Sequence, residues 1–211
     1  YPIRRTEQQS RNYRIHDEFL KYIDIEPENV HIPDGTVAKS DISEYCAAYE
    51  KSIRKIDLMI IGVGEQGQIG FNEAGSYAKS PTRLVELSHN SRKVHSSQFF
   101  GLENTPKMAI TMGLGTIMRA DRIVLMAWGE EKAEVVHQIV EGEITDRIPA
   151  SHLQAHPAIE VVIDENAAER LTREQTPWLV GPCNWTPKFA RKAVVWLCGR
   201  VNKPILKLTY Q

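Results

Sequence analysis

The sequence predicts an α/β protein with a doubly wound, mostly parallel sheet between flanking helices. Residues 56–63 form an almost continuously apolar run, as expected for a strand that helices cover on both faces of a parallel sheet. Similar short apolar runs alternate with helical patterns along the chain, which is typical of βαβ units and of a Rossmann-like three-layer arrangement. The other predicted strands are residues 83–87, 108–112, 122–128 and 159–163.

Helices are predicted before and between these strands. The clearest pattern covers residues 40–54, where apolar residues recur at helical spacing and Ser40 or Asp41 can act as the N-cap. A second helical pattern covers residues 10–24. The remaining helical stretches are residues 91–99, 113–119 and 130–141, the last with Gly142 as its C-cap.

The chain is predicted to have two parts, an α/β domain over residues 1–170 and a C-terminal extension over residues 171–211. The extension begins with loops rich in proline. Thr186 then caps a helix that starts at Pro187, and a strand-like segment, 205–210, follows. Because the sequence does not begin with methionine, we expect it to be part of a longer polypeptide, with the N-terminal part of the domain upstream.

Charge and hydropathy exclude several classes of protein. The 211 residues carry 26 basic and 27 acidic side chains, so no global field draws the chain to nucleic acid or anionic lipid. No apolar run approaches the ~20 residues that a membrane helix needs. We therefore expect a small-molecule partner and neither a nucleic acid nor a membrane, and a homo-oligomer is compatible with the sequence. No signal peptide is visible, which predicts a cytoplasmic location.

The cysteines and histidines do not show the spacing of a metal site. Cys46, Cys183 and Cys198 are widely separated and are expected to be reduced, mostly buried thiols. His152 and His156 are four residues apart, but the acidic residue of an HExxH site is missing. No metal and no other cofactor is predicted.

The segment after the first predicted strand carries the most informative motif. Gly62, Gly64 and Gly67 match the GxGxxG fingerprint of dinucleotide-binding proteins. That fingerprint requires a helix to begin within the loop, whereas Gly70 and Gly75 keep interrupting one, so a nicotinamide site is not favoured. Parallel sheets place ligands at the carboxyl ends of their strands, and this glycine-rich loop is therefore the expected ligand site.

Residues 62–76 resemble the stretch GxGxDGHxAFNEPGS of glucosamine-6-phosphate deaminases, which share a superfamily with ribose-5-phosphate isomerase and the sugar lactonases. Similar segments follow in family order over the whole predicted domain, among them residues 112–116 and 149–157. Phe71-Asn72-Glu73 favours the deaminase branch over the lactonases. The resemblance implies a role in amino-sugar phosphate metabolism, namely conversion of glucosamine 6-phosphate to fructose 6-phosphate with release of ammonia.

The resemblance also implies catalytic positions. Ring opening in this family uses an Asp-x-His pair backed by a Glu, and those positions are Gln66, Gln68 and Glu73 here. Glutamine donates and accepts hydrogen bonds but takes up no proton near neutral pH. We therefore expect the two glutamines to preserve sugar-phosphate binding more readily than catalytic turnover. The family's proton-transferring Asp and its phosphate loop would precede residue 1.

Five residues are implied to bind the substrate. Lys132 keeps a family lysine near the first turn of a predicted helix, where the positive end of the helix dipole favours a phosphate. Gln98 replaces a family arginine, so one cation is lost. The remaining three are Gly62, Val63 and Gly64. We expect Glu73 and Lys132 to face each other across one pocket.

Some deaminases carry an allosteric site built from a serine, an arginine and a lysine. Ser76 and Arg83 match the first two, but Val85 occupies the lysine position, which argues against this form of regulation. Three interpretations stay open: an enzyme of the deaminase type, a non-catalytic sugar-phosphate-binding module within a longer protein, and a scaffold domain of a larger protein.

Overall fold

The computed structural model describes residues 1–53 and 55–209, and it confirms the predicted α/β class. These residues form five strands and eight α-helices, with short 3₁₀ turns between some of them. The strands are β1 (Leu58–Gly62), β2 (Arg83–Glu86), β3 (Met108–Thr111), β4 (Arg122–Ala127) and β5 (Ile159–Ile163). The helices are α1 (Arg11–Glu18), α2 (Ile42–Ser52), α3 (His89–His95), α4 (Leu114–Ile117), α5 (Ala133–Val140), α6 (Glu165–Ala168), α7 (Thr172–Gln175) and α8 (Pro187–Val201).

The main sheet is parallel, in the strand order β1-β4-β5. Ile60 of β1 lies opposite Val124 of β4, and Val124 lies opposite Glu160 of β5. β2 and β3 do not join this sheet but pair with each other in antiparallel orientation. The sequence predicts all five strands, but not that they divide between two sheets, because strand partners are chosen by contacts between distant segments.

The hydrophobic core lies on one face of the parallel sheet. β4 points Ile123 and Leu125 into it, and α5 adds Val136 and Ile139, all four almost inaccessible to solvent. The opposite face differs from the prediction. Leu58 and Ile60 of β1 are 50% and 62% exposed, so in the described residues β1 is not covered on both sides.

Several predicted boundaries shift by a few residues. Asp41 is the N-cap of α2, as one of the two predicted candidates, but its side chain makes no capping hydrogen bond. α3 ends at His95, and the rest of the predicted 91–99 helix is a 3₁₀ turn. The prediction of Gly142 as the C-cap of α5 is wrong: Glu141 occupies that position.

The C-terminal extension contains the predicted helix but not the predicted strand. The hydroxyl of Thr186 accepts the backbone N–H of Phe189 at 3.2 Å and caps α8 as expected. The strand-like prediction for 205–210 is wrong over Ile205–Lys207, which form a 3₁₀ turn and pair with none of the strands described for residues 1–53 and 55–209. Residue 210 lies outside the described residues.

The cysteines and the lengths of the helices bear on two further predictions. The three cysteines are free; Cys46 is buried, whereas Cys183 and Cys198 are only half-buried. Within residues 1–53 and 55–209, every helix is too short or too polar to cross a bilayer.

Candidate functional site

The loop that leaves β1, residues 63–76, folds back on itself in tight turns. The amide of Gly64 donates to the carbonyl of Gln68, and the amide of Gly67 donates to the carbonyl of Gly64, both at 2.9 Å. Gly67 and Gly70 have φ angles of 74° and 57°, which glycine adopts without a steric penalty. No helix begins in residues 63–76, which agrees with the rejection of a dinucleotide fingerprint.

A cleft of about 690 Å³ opens at the carboxyl end of β1. It lies between this loop, α1, α3 and the residues just before α5. Ile60, Ile61 and Phe71 contribute apolar surface, and the backbone of the glycine-rich loop forms part of the wall. The polar side chains that line the cleft are Arg11, Glu65, Gln66, Gln68, Asn90, His95 and Lys132.

Both predicted glutamines line this cleft. The side-chain carbonyl of Gln68 accepts the backbone N–H of Gln66 at 3.0 Å, so the Gln68 amide is held against the loop. It lies directly beside Gly64, where even a Cβ would come within 2.2 Å of the Gln68 side chain. The loop thus presents two neutral amides to a ligand, which can orient hydroxyl groups but cannot exchange protons with them.

Two cations lie in the cleft with no carboxylate partner in the described part of the chain. Lys132 is the N-cap of α5, where the helix dipole adds positive potential. Arg11 reaches the cleft from the first turn of α1. Neither forms an ion pair with a described acidic residue. With Glu65 as the only carboxylate among the described lining residues, the cleft favours an anionic ligand.

Glu73 lies elsewhere. It is not one of the residues that line the cleft, and its carboxylate accepts the backbone N–H of Ser88 at 3.1 and 3.3 Å. The expected arrangement, with Glu73 facing Lys132 across one pocket, therefore differs from the structure. The reason is that Ser88 precedes α3 and offers an unpaired amide, which attracts the nearby carboxylate.

Four of the five predicted substrate-binding residues line the cleft, and one does not. Gly62, Val63 and Gly64 line the cleft together with Lys132. Gln98 does not line it; this residue lies half-buried in the 3₁₀ turn after α3.

Ser76 and Arg83, the predicted allosteric residues, are in contact. The guanidinium of Arg83 donates to the hydroxyl of Ser76 at 3.2 Å, and it also donates to Asn72 and Ser80. Desolvation lowers the pKa of Arg83. The cluster ties the loop to β2, outside the lining of the cleft, and Val85 follows on the same strand. A ligand role for this pair stays a prediction.

Several lining residues of the cleft were not predicted from the sequence, among them Arg11 and His95. His95 is the last residue of α3, and its ring packs edge-on against Phe71 with centroids 6.0 Å apart. Burial and, to a lesser extent, the charge of Arg11 lower the pKa of His95, which keeps the ring neutral at neutral pH. The sequence offered one signal for this wall of the cleft. Asn90 and Val94 lie four residues apart, and therefore on one face of α3, and both line the cleft beside His95.

Metal ligation has no support in the described residues, where no three His, Cys, Asp or Glu side chains come together as a metal site requires.

Comparisons with known proteins agree with the motif. A glucosamine-6-phosphate deaminase-like protein of Bacteroides thetaiotaomicron is 46% identical, over 99% of this chain but only 32% of that protein. Glucosamine-6-phosphate deaminase of Thermoanaerobacter pseudethanolicus is 40% identical, over 79% of this chain and 66% of that protein. The chain thus spans from about a third to just under two thirds of these two relatives.

A solved structure is also similar. A monomeric glucosamine-6-phosphate deaminase superposes with a TM-score of 0.76 at 34% identity, over 80% of this chain and 70% of that one. The family model of glucosamine-6-phosphate isomerases and 6-phosphogluconolactonases matches residues 3–162. The chain therefore belongs to the glucosamine-6-phosphate isomerase/6-phosphogluconolactonase family.

Proposed function

We propose that the chain carries the sugar-phosphate cleft of a glucosamine-6-phosphate deaminase, which converts glucosamine 6-phosphate to fructose 6-phosphate and ammonia. The observation that carries this proposal is the cleft at the carboxyl end of β1, lined by Arg11 and Lys132 without acidic partners and by the amides of Gln66 and Gln68. The proposed location is the cytoplasm, as expected from the sequence. Homo-oligomer formation and the absence of a nucleic-acid partner stay predictions.

The chemistry of the substrate fits these groups. A phosphate monoester is an anion, and charge-assisted hydrogen bonds from lysine or arginine to phosphate are about twice as strong as neutral ones. The sugar hydroxyls match neutral amides, which both donate and accept. Anchoring the phosphate at one end would hold the reacting carbons at a fixed place along the loop, and such positioning is a large part of catalysis.

A second candidate function is retention of a sugar phosphate without turnover, by a binding module within a longer protein. The specific observation in its favour is that Gln66 and Gln68, which line the cleft at the positions of the family's Asp-x-His pair, are amides that exchange no proton. The relative from Bacteroides thetaiotaomicron, about three times as long as the matched region, supports a longer context.

Ammonia release from glucosamine 6-phosphate distinguishes the two candidates. The assay is run beside isothermal titration calorimetry with the same sugar, with glucosamine lacking the phosphate as the control ligand. Binding with ammonia release supports the deaminase, and binding without ammonia release supports the binding module. Absence of binding would contradict both.

The Gln68→His variant sharpens this test. An imidazole at this position restores a group that exchanges protons, and general acid–base catalysis contributes on the order of 10²–10⁴-fold in rate. We expect Gln68→His to release ammonia faster than the parent chain. Gln154→His, a change at an exposed position outside the cleft, is the control and should release ammonia no faster than the parent chain. If Gln68→His gains nothing, Gln68 does not lie at the ring-opening position.

A further inference from the structure

The cleft contains few groups that can exchange a proton. Arg11 and Lys132 contribute basic side chains to the lining, and Glu65 contributes a carboxylate. The amides of Gln66, Gln68 and Asn90 do not titrate. Histidine is the side chain that both takes and returns a proton near neutrality, and His95 is the only one among the described lining residues.

The two ring nitrogens of His95 have different surroundings. Nδ1 is buried and has no hydrogen-bond partner among the described residues. Nε2 is not among the buried atoms that lack a partner. No carboxylate or carbonyl of the described residues bonds to either nitrogen, so no protein group holds one tautomer in place. Nε2 can therefore act as donor or as acceptor toward a ligand.

The His95 ring is nevertheless held in position. Phe71, which belongs to the glycine-rich loop, packs edge-on against it at 6.0 Å with an interplanar angle of 82°. The opposite end of α3 is fixed by Ser88, whose hydroxyl accepts the amide of Ser91 at 3.2 Å. The loop and the helix together restrict the imidazole, as proton transfer to a bound molecule requires.

We infer that His95 is a further catalytic residue, which opens the sugar ring by exchanging a proton with the bound amino-sugar phosphate. This inference rests on the proposed function, because it assigns one step of that reaction. Nε2 of the neutral imidazole takes the proton of the anomeric hydroxyl as the C1–O1 double bond forms and the C1–O5 bond breaks. The electron pair of the broken bond stays on O5, which takes the proton back from the imidazolium. The aldehyde forms, and His95 returns to its neutral state.

Ring opening can be measured separately from ammonia release. The α and β anomers of glucosamine 6-phosphate interconvert only through the open chain, so saturation transfer between their anomeric protons in NMR reports the opening rate. We expect the protein to accelerate this exchange. The His95→Gln and His95→Phe variants should lose on the order of 10²–10⁴-fold of that acceleration, while the dissociation constant for the sugar phosphate changes less than the exchange rate.

His89→Gln is the matched control, because His89 is exposed at the other end of α3 and does not line the cleft. His95→Phe keeps an aromatic ring against Phe71 if His95→Gln unfolds. A second readout needs no variant: in ¹⁵N-labelled protein, the sugar phosphate should shift the Nε2 resonance of His95 and not that of His89.

Undiminished anomer exchange in His95→Phe would overturn the inference, and so would a His95 resonance that does not respond to a bound sugar phosphate. If anomer exchange depends on His95 but no ammonia is released, the inference is upheld and the deaminase proposal is contradicted. Ammonia release that persists in both His95 variants would uphold the deaminase proposal and overturn the role of His95.

Discussion

The carboxylate of Glu73 accepts the backbone N–H of Ser88, with its two oxygens at 3.3 and 3.1 Å from the amide nitrogen. Glu73 belongs to the loop after β1, and Ser88 is the N-cap of α3, the helix that ends at His95. This hydrogen bond connects two walls of the cleft without placing Glu73 among its lining residues. Glu73 thus links the loop to the start of α3.

Replacing Glu73 by alanine should lower the free energy of unfolding by about 0.5–2 kcal/mol, as loss of a helix-capping interaction does. Urea denaturation measures this effect. Glu86→Ala, at the exposed end of β2, is the control and should change stability less. A large loss of turnover in Glu73→Ala with unchanged stability would instead indicate that Glu73 exchanges protons with the substrate.

Lys132 offers a direct test of the phosphate site. Lys132→Met removes a cation that has no acidic partner among the described residues, so affinity for glucosamine 6-phosphate should fall roughly tenfold or more, about 1.4 kcal/mol. Affinity for glucosamine itself should change little, because it lacks the phosphate. Calorimetry on both ligands measures the difference. Lys192→Met, on the exposed surface of α8, is the control, and an equal loss for both ligands would contradict a phosphate contact.

Glu50 should make stability depend on pH in the acid range. Desolvation would raise the pKa of this carboxyl, but hydrogen bonds from Thr116, Thr82 and Arg119 outweigh it and lower the pKa from the ordinary 4.5 to about 2. The side chain is only 15% exposed, which limits screening by solvent. A lowered pKa means that the ionised form stabilises the fold, and this contribution is complete above the unfolded value of 4.5.

The contribution should disappear as the pH falls from 4.5 towards about 2. It amounts to on the order of 3 kcal/mol, from the size of the shift. Urea denaturation at a series of pH values should show this loss in the parent chain and a flatter dependence in Glu50→Gln. Identical pH dependences for the two proteins would show that the Glu50 cluster does not govern acid stability.

Gly67 should tolerate no side chain. Its φ of 74° is unfavourable for other residues, and a Cβ would lie 2.4 Å from Cγ2 of Ile148. Gly67→Ala should therefore destabilise the fold by about 1–3 kcal/mol and weaken binding in the adjacent cleft. Gly181→Ala is the control, since nothing lies within 4 Å of its added Cβ and its φ is not positive. Equal melting temperatures of the two variants would contradict the steric requirement at Gly67.

The sequence by itself determined the features that depend on local patterns. The continuous apolar run predicted β1, and the periodicity before Gly142 predicted α5, because burial on a sheet or on a helix imposes a regular spacing of apolar residues. Glycine spacing predicted the loop that lines the cleft. The family motif named Gln68 and Lys132 as site residues, and both line one cleft. The arrangement predicted from it, with Glu73 facing Lys132, is not observed.

The tertiary structure decided what depends on contacts between distant segments. It separated β2 and β3 from the parallel sheet, since a strand's partner is not encoded in its own residues. It bonded Glu73 to the amide before α3, away from Lys132, and it brought Arg11 and His95 into the cleft from two helices. Local spacing specifies which face of an element is buried, but only packing specifies which side chains of different elements meet at a site.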